Sequence, residues 1–341
     1  MGLCVSSASE VKKGSETNLA YVVGDGGSRV CDDEGISTIA SLYSRQGKKG
    51  INQDAAIVFQ GFGLEDALFC GVFDGHGRNG HIVSRLVRDT LPSLLLLHRA
   101  DYAYDSSDSD DMCSMDDKMS SASSVELFDE WKEAIITAFK AMDKELRLHP
   151  KLNAFHSGTT AVTIIKQVTN ISQNNHRSQL WFIVSCTQGR DLIISNLGDS
   201  RAVMGTFSEE GLLKAVQLTT DLKPSVPQEA ERIRKSNGRV FALRDEPDIQ
   251  RVWLPDTNFP GLAMARAFGD FELKNYGVIA TPQVWDVLTN EQVVKIVWLS
   301  FLRGEEASKA VVKAAVRAWR RKYPSYRADD CSAACILLED R

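Results

Sequence analysis

The short run Asp74-Gly75-His76-Gly77 has the residue types for metal-assisted hydrolysis, and it follows an apolar segment at residues 67–73. A carboxylate at the end of a buried strand, followed by glycine, would expose its oxygens and a backbone carbonyl at the sheet edge. Hard cations such as Mg²⁺ and Mn²⁺ prefer oxygen donors of this kind. A histidine two residues later could reach the same site as a proton donor. Because Asp-Gly is also a common turn, this run alone fits either a catalytic site or a simple turn.

Local hydrophobic patterns predict the elements that must position this run. Strands and helices come in blocks rather than in strict alternation, which indicates an α+β fold with antiparallel sheets. The predicted strands are residues 67–73 (ending at the Asp-Gly turn), 159–165, 191–196 paired as a hairpin with 201–204, and 331–338. The predicted helices start near Ile82 and at Thr289, and span about 125–148, 227–237 (capped by Gly238) and 305–322.

The helix over residues 125–148 has the clearest pattern. Its apolar side chains recur at three- and four-residue steps, as expected for one buried face. They are Phe128, Trp131, Ile135, Phe139, Met142 and Leu146. These are plain core formers, so the stripe predicts packing rather than a cofactor site.

Eight segments in a set order extend the pattern around the first run. They are residues 71–77 (GVFDGHG), 157–162 (SGTTAV), 196–203 (NLGDSRAV), 221–224 (DLKP) with Glu229, Glu231, Arg232 and Ile233 downstream, 262–270 (LAMARAFGD), 280–284 (ATPQV), 285–288 (WDVL) and 329–332 (DDCS). With them the chain resembles the type 2C family of metal-dependent serine/threonine protein phosphatases, its plant branch in particular. The resemblance implies two antiparallel sheets in a sandwich flanked by helices, four layers in all, with a two-metal cleft at one edge.

The resemblance also implies a set of metal ligands for two Mg²⁺ or Mn²⁺ ions. Two such cations would lower the pKa of a bridging water, and the resulting hydroxide would attack the phosphorus of phosphoserine or phosphothreonine in line. The implied ligands are Asp74, which bridges both cations, the Gly75 carbonyl, Asp329 (with Asp330 as the neighbouring alternative), Asp54 and, at a third and weaker site, Asp221.

Two further catalytic roles follow from the same resemblance. His76 would protonate the departing serine or threonine oxygen as general acid. Lys49 occupies the place of a cationic residue that holds the phosphate, with Arg45 as the fallback. Lys49 also fits the alternative of a solvated surface lysine in Lys48-Lys49-Gly50.

The chain departs from the family pattern in three places. Gln53 stands where many relatives have glutamate, which should lower metal affinity modestly. Residues 168–188 look like an insertion. Between Val284 and Trp285, a strand that would end in another metal-binding aspartate is missing, so we expect one central strand to be absent and the second metal to bind weakly.

The N-terminus matches the N-myristoylation pattern, with Gly2 exposed once Met1 is removed and Ser6 at the expected place. One acyl chain binds membranes only marginally, and Cys4 beside the glycine is a natural palmitoylation site. We therefore expect an acylated, flexible segment at residues 1–35, followed by a phosphatase domain at 36–341 with an acidic surface loop at 103–124. The expected location is the cytoplasmic side of a membrane, the plasma membrane in particular, with a cytosolic or nuclear pool.

Composition excludes several other classes of protein. The net charge of −5 argues against a general nucleic-acid binder. The seven cysteines are irregularly spaced without a C-x-x-C pair, which argues against a zinc ribbon or a disulfide framework. No apolar run approaches the roughly 18 residues of a spanning helix. No self-complementary apolar stripe stands out, so we expect a monomer.

Three functions remain open at this point. The first is a phosphatase acting on phosphoprotein substrates, with activity reduced by the missing strand. The second is a catalytically impaired phosphatase-like regulator that binds phosphoproteins or kinases at a membrane. The third is a structural cation-binding module. A purely structural site does not need a proton donor, so the presence of His76 argues against this function.

Overall fold

A computed structural model gives the fold for residues 19–23, 40–64, 67–105, 124–168, 190–208, 210–285, 297, 306–322 and 329–336. The helices are α1 (Gly80–Asp105), α2 (Ser124–Leu148), α3 (Pro227–Lys235) and α4 (Ala307–Lys322), with a 3₁₀ turn at Lys274–Tyr276. The strands are β1 (Leu19–Val23), β2 (Ala40–Arg45), β3 (Asp54–Gln60), β4 (Leu68–His76), β5 (Gly158–Thr159), β6 (Ala161–Val168), β7 (Arg190–Leu197), β8 (Val203–Phe207), β9 (Leu213–Gln217), β10 (Arg239–Ala242), β11 (Gln250–Trp253), β12 (Pro260–Leu262), β13 (Phe268–Gly269), β14 (Gln283–Trp285) and β15 (Cys331–Ile336).

The largest sheet has the strand order β1-β3-β4-β6-β7-β14, and β5 and β13 continue it beyond the end of β4. Its pairs are antiparallel except β1–β3, which is parallel. Strand β4 lies in the middle of this order and carries the Asp74 run at its end. The other sheets are β2–β15, β8–β9 and β10–β11–β12.

Alternation along β4 separates two cores. Successive side chains of a strand point to opposite faces. Phe69 and Phe73 pack with helices α1 and α2, whereas Leu68 and Cys70 pack with residues of β2 and β15. Helix α4 covers the outer face of β2 and β15. The layers are therefore helices, large sheet, small sheets and helix, which confirms the predicted α+β sandwich.

The helical layer follows the predicted periodicity closely. Five of the six stripe residues of α2 are buried in the core that it shares with α1 and the large sheet. The exception is Phe128, which is 38% exposed, so its prediction as a core residue is wrong. It lies in the second turn of α2, near the helix end, where the core no longer covers it.

Three local predictions need correction. Residues 191–196 do not form a hairpin with 201–204, because β7 pairs with β6 and β14 while β8 pairs with β9. Strand β4 does not stop before Asp74 but continues through His76, since β5 gives its last residues a partner. Helix α3 ends at Lys235 rather than at residue 237, and the residue after it in the left-handed region is Asn237 (φ 62°), not Gly238.

Several other predictions concern residues outside the described part of the chain or at its edges. The predicted insertion beyond Val168, the helix from Thr289 and the N-terminal acylation sites lie outside them. The loop prediction at 103–124 is too long at both ends, because α1 reaches Asp105 and α2 starts at Ser124. Residues 284 and 285, where a strand is expected to be missing, lie together in β14 beside β7. No helix among the described residues combines the length and apolar character needed to cross a membrane.

Candidate active site

Asp54 and Asp74 lie directly opposite each other at the paired ends of β3 and β4. Both side chains share the strand face that turns toward β2 and β15, by the same alternation that places Val58 and Cys70 there. Asp54 is 5% exposed, whereas Asp74 reaches solvent. The register of one strand pair thus brings together two of the predicted metal ligands.

The backbone at Gly75 approaches its neighbours too closely for any side chain. A Cβ there would collide with the backbone oxygens of Gly80 and Gln53. The Gly75 N–H donates to the Gln53 carbonyl at 3.2 Å, and the Asp74 carbonyl accepts from the Thr160 N–H at 2.9 Å. Glycine is therefore required to dock the end of β4 against the start of α1.

Neither of the two facing carboxyls has a lysine or arginine partner among the described residues. Burial raises the pKa of Asp54 to about 6; a hydrogen bond from Ser332 at 2.6 Å opposes this and the charge of Asp330 adds to it. Desolvation by surrounding protein, and next the charge of Asp54, raises the pKa of Asp74 to about 8. Removing carboxylates from water and placing them together disfavours their charged forms. A bound cation would reverse both effects.

Asp329 and Asp330, the two alternatives at the start of the last strand, have different partners. Asp330 accepts backbone N–H groups from Gly47 at 2.7 Å and Gln53 at 2.9 Å, so its carboxylate ties the start of β15 to the loop between β2 and β3. Asp329 forms a half-exposed ion pair with the Lys49 ammonium and acts electrostatically on Asp54. Of the two carboxylates, Asp329 is the one engaged by a side chain that could exchange for another cation.

Lys49 therefore lies at the rim of the acidic site rather than alone in solvent. The fallback residue Arg45 is exposed on β2, where it pairs in register with Cys331. The structure brings Lys49, and not Arg45, into contact with a predicted metal ligand.

His76 contacts a residue to which the sequence analysis assigned no role. Its Nε2 and the Oδ2 of Asp270 are 2.6 Å apart, and Asp270 is 3% exposed. Burial alone would lower the pKa of His76, but the Asp270 carboxylate overcomes this and raises that pKa above its ordinary value. Asp270 belongs to the segment 262–270 that resembles the family; that match was the one sequence signal that could have pointed to it.

Asp221 is held by cations of the chain itself. Arg201 binds both of its oxygens, at 2.8 and 2.7 Å, and Lys223 donates to it at 3.2 Å. Although burial opposes them, these contacts hold the pKa of Asp221 below its ordinary value. Asp199 interacts electrostatically with both Asp221 and Asp74, and burial, only partly offset by Lys223, raises the pKa of Asp199. Asp199 is a second carboxylate that the sequence analysis did not single out.

Gln53 has a contact that an ionised glutamate could not make. Its side-chain Nε2 donates to the Gly77 carbonyl at 2.6 Å. Its backbone carbonyl accepts from the Ser84 hydroxyl at 2.6 Å. The amide at this position thus ties the loop after His76 to the start of β3.

A separate cluster explains several other residues of the family-like segments. Glu229, 2% exposed on α3, binds Arg266 through two hydrogen bonds of 2.6 and 2.9 Å and Arg232 at 2.7 Å. The arginines also donate to backbone carbonyls of Ala265 and Thr281. Although burial opposes it, Arg266 holds the pKa of Glu229 below its ordinary value. This cluster fixes α3 to the segment that ends at Asp270.

The donor set at the acidic site suits a hard divalent cation. We define the acidic centre as Asp54, Asp74, Asp199 and Asp329, whose carboxylates interact electrostatically. Within the described residues, no three His, Cys, Asp or Glu side chains converge tightly enough to hold a metal by themselves. Mg²⁺ commonly keeps several waters and takes only one or two carboxylates, so the facing Asp54–Asp74 pair fits it.

Comparisons with known proteins agree with this geometry. Residues 59–284 match the family model described as protein phosphatase 2C. Over its whole length the chain is 47% identical to a rice (Oryza sativa subsp. japonica) protein named probable protein phosphatase 2C 12, with 92% of that protein covered. It is 41% identical to an Arabidopsis thaliana protein named probable protein phosphatase 2C 72, with 100% of this chain and 99% of that protein covered.

A solved structure shares the fold. The serine-threonine phosphatase 2C from Toxoplasma gondii superposes with a TM-score of 0.66 at 22% identity, covering 86% of this chain and 93% of that one. At this identity the likeness concerns the fold alone. The family model and the relatives over nearly the full length decide the assignment: the chain belongs to the protein phosphatase 2C family, in its plant-type branch.

Proposed function

We propose that this metal-dependent serine/threonine protein phosphatase carries out its chemistry at the acidic centre. The observation that carries the proposal is the facing pair Asp54 and Asp74, with no lysine or arginine partner for either in the described part of the chain. A buried carboxylate such as that of Asp54 normally has a compensating charge. A divalent cation supplies that charge.

Each residue of the site then has a defined role. Asp74 and Asp54 would hold Mg²⁺ or Mn²⁺, with Asp329 contributing from the start of β15. When bound, such cations activate water as a nucleophile near neutral pH. His76 would give a proton to the departing serine or threonine oxygen, and Lys49 at the rim would orient the phosphate.

We further propose that the second of two cations binds weakly. The support is the sequence joint at residues 284–285, where the family pattern has an additional aspartate-bearing strand. The described residues after β14 contain no substitute, and Asp286 lies outside them. The alternative, an impaired regulator that binds phosphoproteins, differs from the leading proposal only in its turnover.

The test is hydrolysis of a phosphothreonine peptide by the purified full chain as a function of Mn²⁺ concentration. We expect metal-dependent release of phosphate, abolished by Asp74→Ala. Calorimetry should give one tight and one weak Mn²⁺ site. Metal binding and a folded protein without any turnover would favour the regulator, and failure to bind Mn²⁺ at millimolar concentration would refute the catalytic proposal.

Membrane attachment is a separate proposal. We infer from the pattern around Gly2 and Cys4 that the chain carries two acyl groups and resides at the cytoplasmic face of a membrane. Two acyl chains give the stable anchoring that one lacks. Gly2→Ala should move the protein to the soluble fraction, and Cys4→Ser should leave it weakly bound. An unchanged membrane fraction in Gly2→Ala would contradict acylation.

A further inference from the structure

The contact between His76 and Asp270 is built by several independent parts of the fold. The two side chains meet at 2.6 Å although 194 residues separate them in the sequence. The three short segments that bring them together are the ends of β4, β5 and β13, each paired with the next. This small extension of the sheet contains few residues, and its geometry serves mainly to set His76 beside Asp270.

The backbone at Asp270 adopts an uncommon conformation. Gly269 and Asp270 both lie in the left-handed region, with φ of 75° and 49°. A non-glycine residue there costs free energy and persists only where its surroundings hold it. Those surroundings are present: the Gly269 N–H donates to Asp143 at 2.9 Å, and the Asp270 N–H donates to the Ser157 carbonyl at 3.0 Å.

The support for this turn extends one step further. Asp143 on α2 is also bound by the Lys274 ammonium at 3.0 Å, and that ammonium donates to the Ala267 carbonyl at 2.7 Å. Helix α2 therefore fixes the turn through a side chain that is 18% exposed.

Gly158 of β5 leaves room for the pair. A Cβ at this position would collide with the Asp270 carboxylate and the Phe268 carbonyl, and would lie 2.8 Å from His76 Nε2. A side chain here would push the carboxylate away from the imidazole. The chain therefore has its smallest residue at the point where the two groups meet.

The second ring nitrogen of His76 is left without a partner. His76 Nδ1 is buried and has no hydrogen-bond partner within the described residues. Since Nδ1 has neither a partner nor solvent contact, the contact with Asp270 is the one hydrogen bond that fixes the ring within the described part of the chain. An unpartnered buried nitrogen costs free energy in a purely structural pair, which is a reason to look for a role in the reaction.

We propose that Asp270 is a positioning residue for the protonation step, because it holds the His76 imidazole by Nε2 in the place from which the ring protonates the departing oxygen. The inference rests on the proposed role of His76 as general acid. In that step the P–O bond to serine or threonine breaks, its electron pair stays on the oxygen, and the proton moves from His76 to that oxygen. Solvent then returns a proton to the ring.

A comparison of two leaving groups tests this role. A threonine alkoxide needs a proton as it departs, whereas the phenolate of p-nitrophenyl phosphate leaves without one. In Asp270→Asn we expect turnover of a phosphothreonine peptide to fall at least about 10-fold, as part of the 10²–10⁴-fold that a general acid contributes. Turnover of p-nitrophenyl phosphate should change less than about 2-fold. Asp270→Gly, which suits the positive φ, should behave in the same way.

The chain offers a matched control. His156 and Glu272 form a second histidine–carboxylate pair, but their side chains are 45% and 35% exposed, much more than the 20% and 4% of His76 and Asp270. Glu272→Gln should leave the ratio of the two turnovers unchanged. In a His76→Asn background, Asp270→Asn should have no further effect on the ratio, because its action passes through His76.

Equal losses on both substrates, or no loss on either, would overturn the proposal. A readout independent of turnover is the imidazole ¹⁵N spectrum of the full chain, with the His76 signals assigned by His76→Asn. We expect a proton fixed on Nε2 in the unmodified chain and exchange between the two nitrogens in Asp270→Gly. If the unmodified chain hydrolyses neither substrate, the proposed function fails, and this spectrum still decides whether Asp270 orients the ring; an identical spectrum in both proteins refutes it.

Discussion

The acidic centre and the Glu229 cluster differ in what surrounds their carboxylates. Glu229 is surrounded by Arg266 and Arg232, and its pKa is lowered. Asp54 and Asp74 face each other with no such partner in the part of the chain that the structure describes, and both of their pKa values are raised. The same fold thus neutralises one buried acid with its own arginines and leaves the other pair unneutralised.

The difference separates structural from functional charge. A paired buried acid stabilises one arrangement of the chain. Removing one partner destabilises the protein because the other partner is left as an uncompensated charge away from water. An unpaired acidic pair destabilises the protein alone but creates affinity for a divalent cation. Opposite effects of mutation, pH and metal on the two regions follow from this.

The largest expected effect is on catalysis at the acidic centre. Asp74→Asn should lower kcat/KM for a phosphothreonine peptide by about three orders of magnitude, because cation stabilisation is worth several kcal/mol in the barrier. Its thermal stability without metal should stay the same or rise, since a carboxyl that folding holds in a place unfavourable to its charge is replaced by a neutral amide. The control is Asp89→Asn on the exposed side of α1, which should keep full activity. A strongly destabilised Asp74→Asn would contradict the contrast between the two regions.

The next effect is on stability at the Glu229 cluster. Glu229→Ala should lower the free energy of unfolding by about 3–5 kcal/mol, because it leaves two arginines in poorly solvated positions without their carboxylate. Denaturant unfolding measures this loss. Glu231→Ala, two residues along on the exposed face, should have no measurable effect although Glu231 also has an ion-pair partner, Lys235. Equal effects of the two substitutions would show that burial does not matter here.

The pH dependence of stability should have opposite signs at the two regions. The pKa of Asp74 rises from 3.8 to about 8 on folding, so the folded chain keeps a proton that the unfolded chain releases. In a chelator, this group should therefore lower stability progressively as pH rises from about 4 to about 8. The difference in unfolding temperature between the unmodified chain and Asp74→Asn, measured against pH, isolates the effect. Excess Mn²⁺ should remove this difference.

The second part of this pH test concerns the stability contributed by Glu229. Its pKa is lowered from 4.5 on folding, so its stabilisation is present above pH 4.5 and is lost as pH falls through the lower folded value. Below about pH 4.5 the stability of the unmodified chain should therefore fall more steeply with decreasing pH than the stability of Glu229→Gln. The same slope in both proteins would contradict the paired state.

The smallest expected effect is at Gln53. Gln53→Glu adds negative charge near the acidic centre and should tighten Mn²⁺ binding a few-fold. This is less than the roughly 10–100-fold change in metal affinity that is typical when a residue in contact with a metal ligand is mutated. It should also cost about 1 kcal/mol of stability, because the carboxylate cannot donate to the Gly77 carbonyl. Isothermal titration and thermal unfolding measure the two changes. Weaker Mn²⁺ binding would contradict the electrostatic account.

Local periodicity predicted the elements with strong repeating patterns. The helix at 125–148 and the strand preceding Asp74 were found because their side-chain spacing is set by neighbours along the chain. The partner of β7 was not found, since sheet pairing joins segments that no local pattern connects, and Arg201 lies in a loop rather than in a hairpin strand. Phe128 shows the same limit, because the end of a stripe is buried only if another element covers it.

The motif residues alone identified the family and the kind of chemistry, since that chemistry requires particular side-chain types, with oxygen donors at Asp74 and Asp329 and a proton donor at His76. Only the tertiary structure decided which charges meet. In the folded chain Asp221 forms an ion pair with Arg201, Asp330 accepts hydrogen bonds from backbone amides, and Asp270 contacts His76. Charge compensation depends on distances of a few ångströms between residues far apart in the sequence, and those distances exist only once the strands and helices have packed.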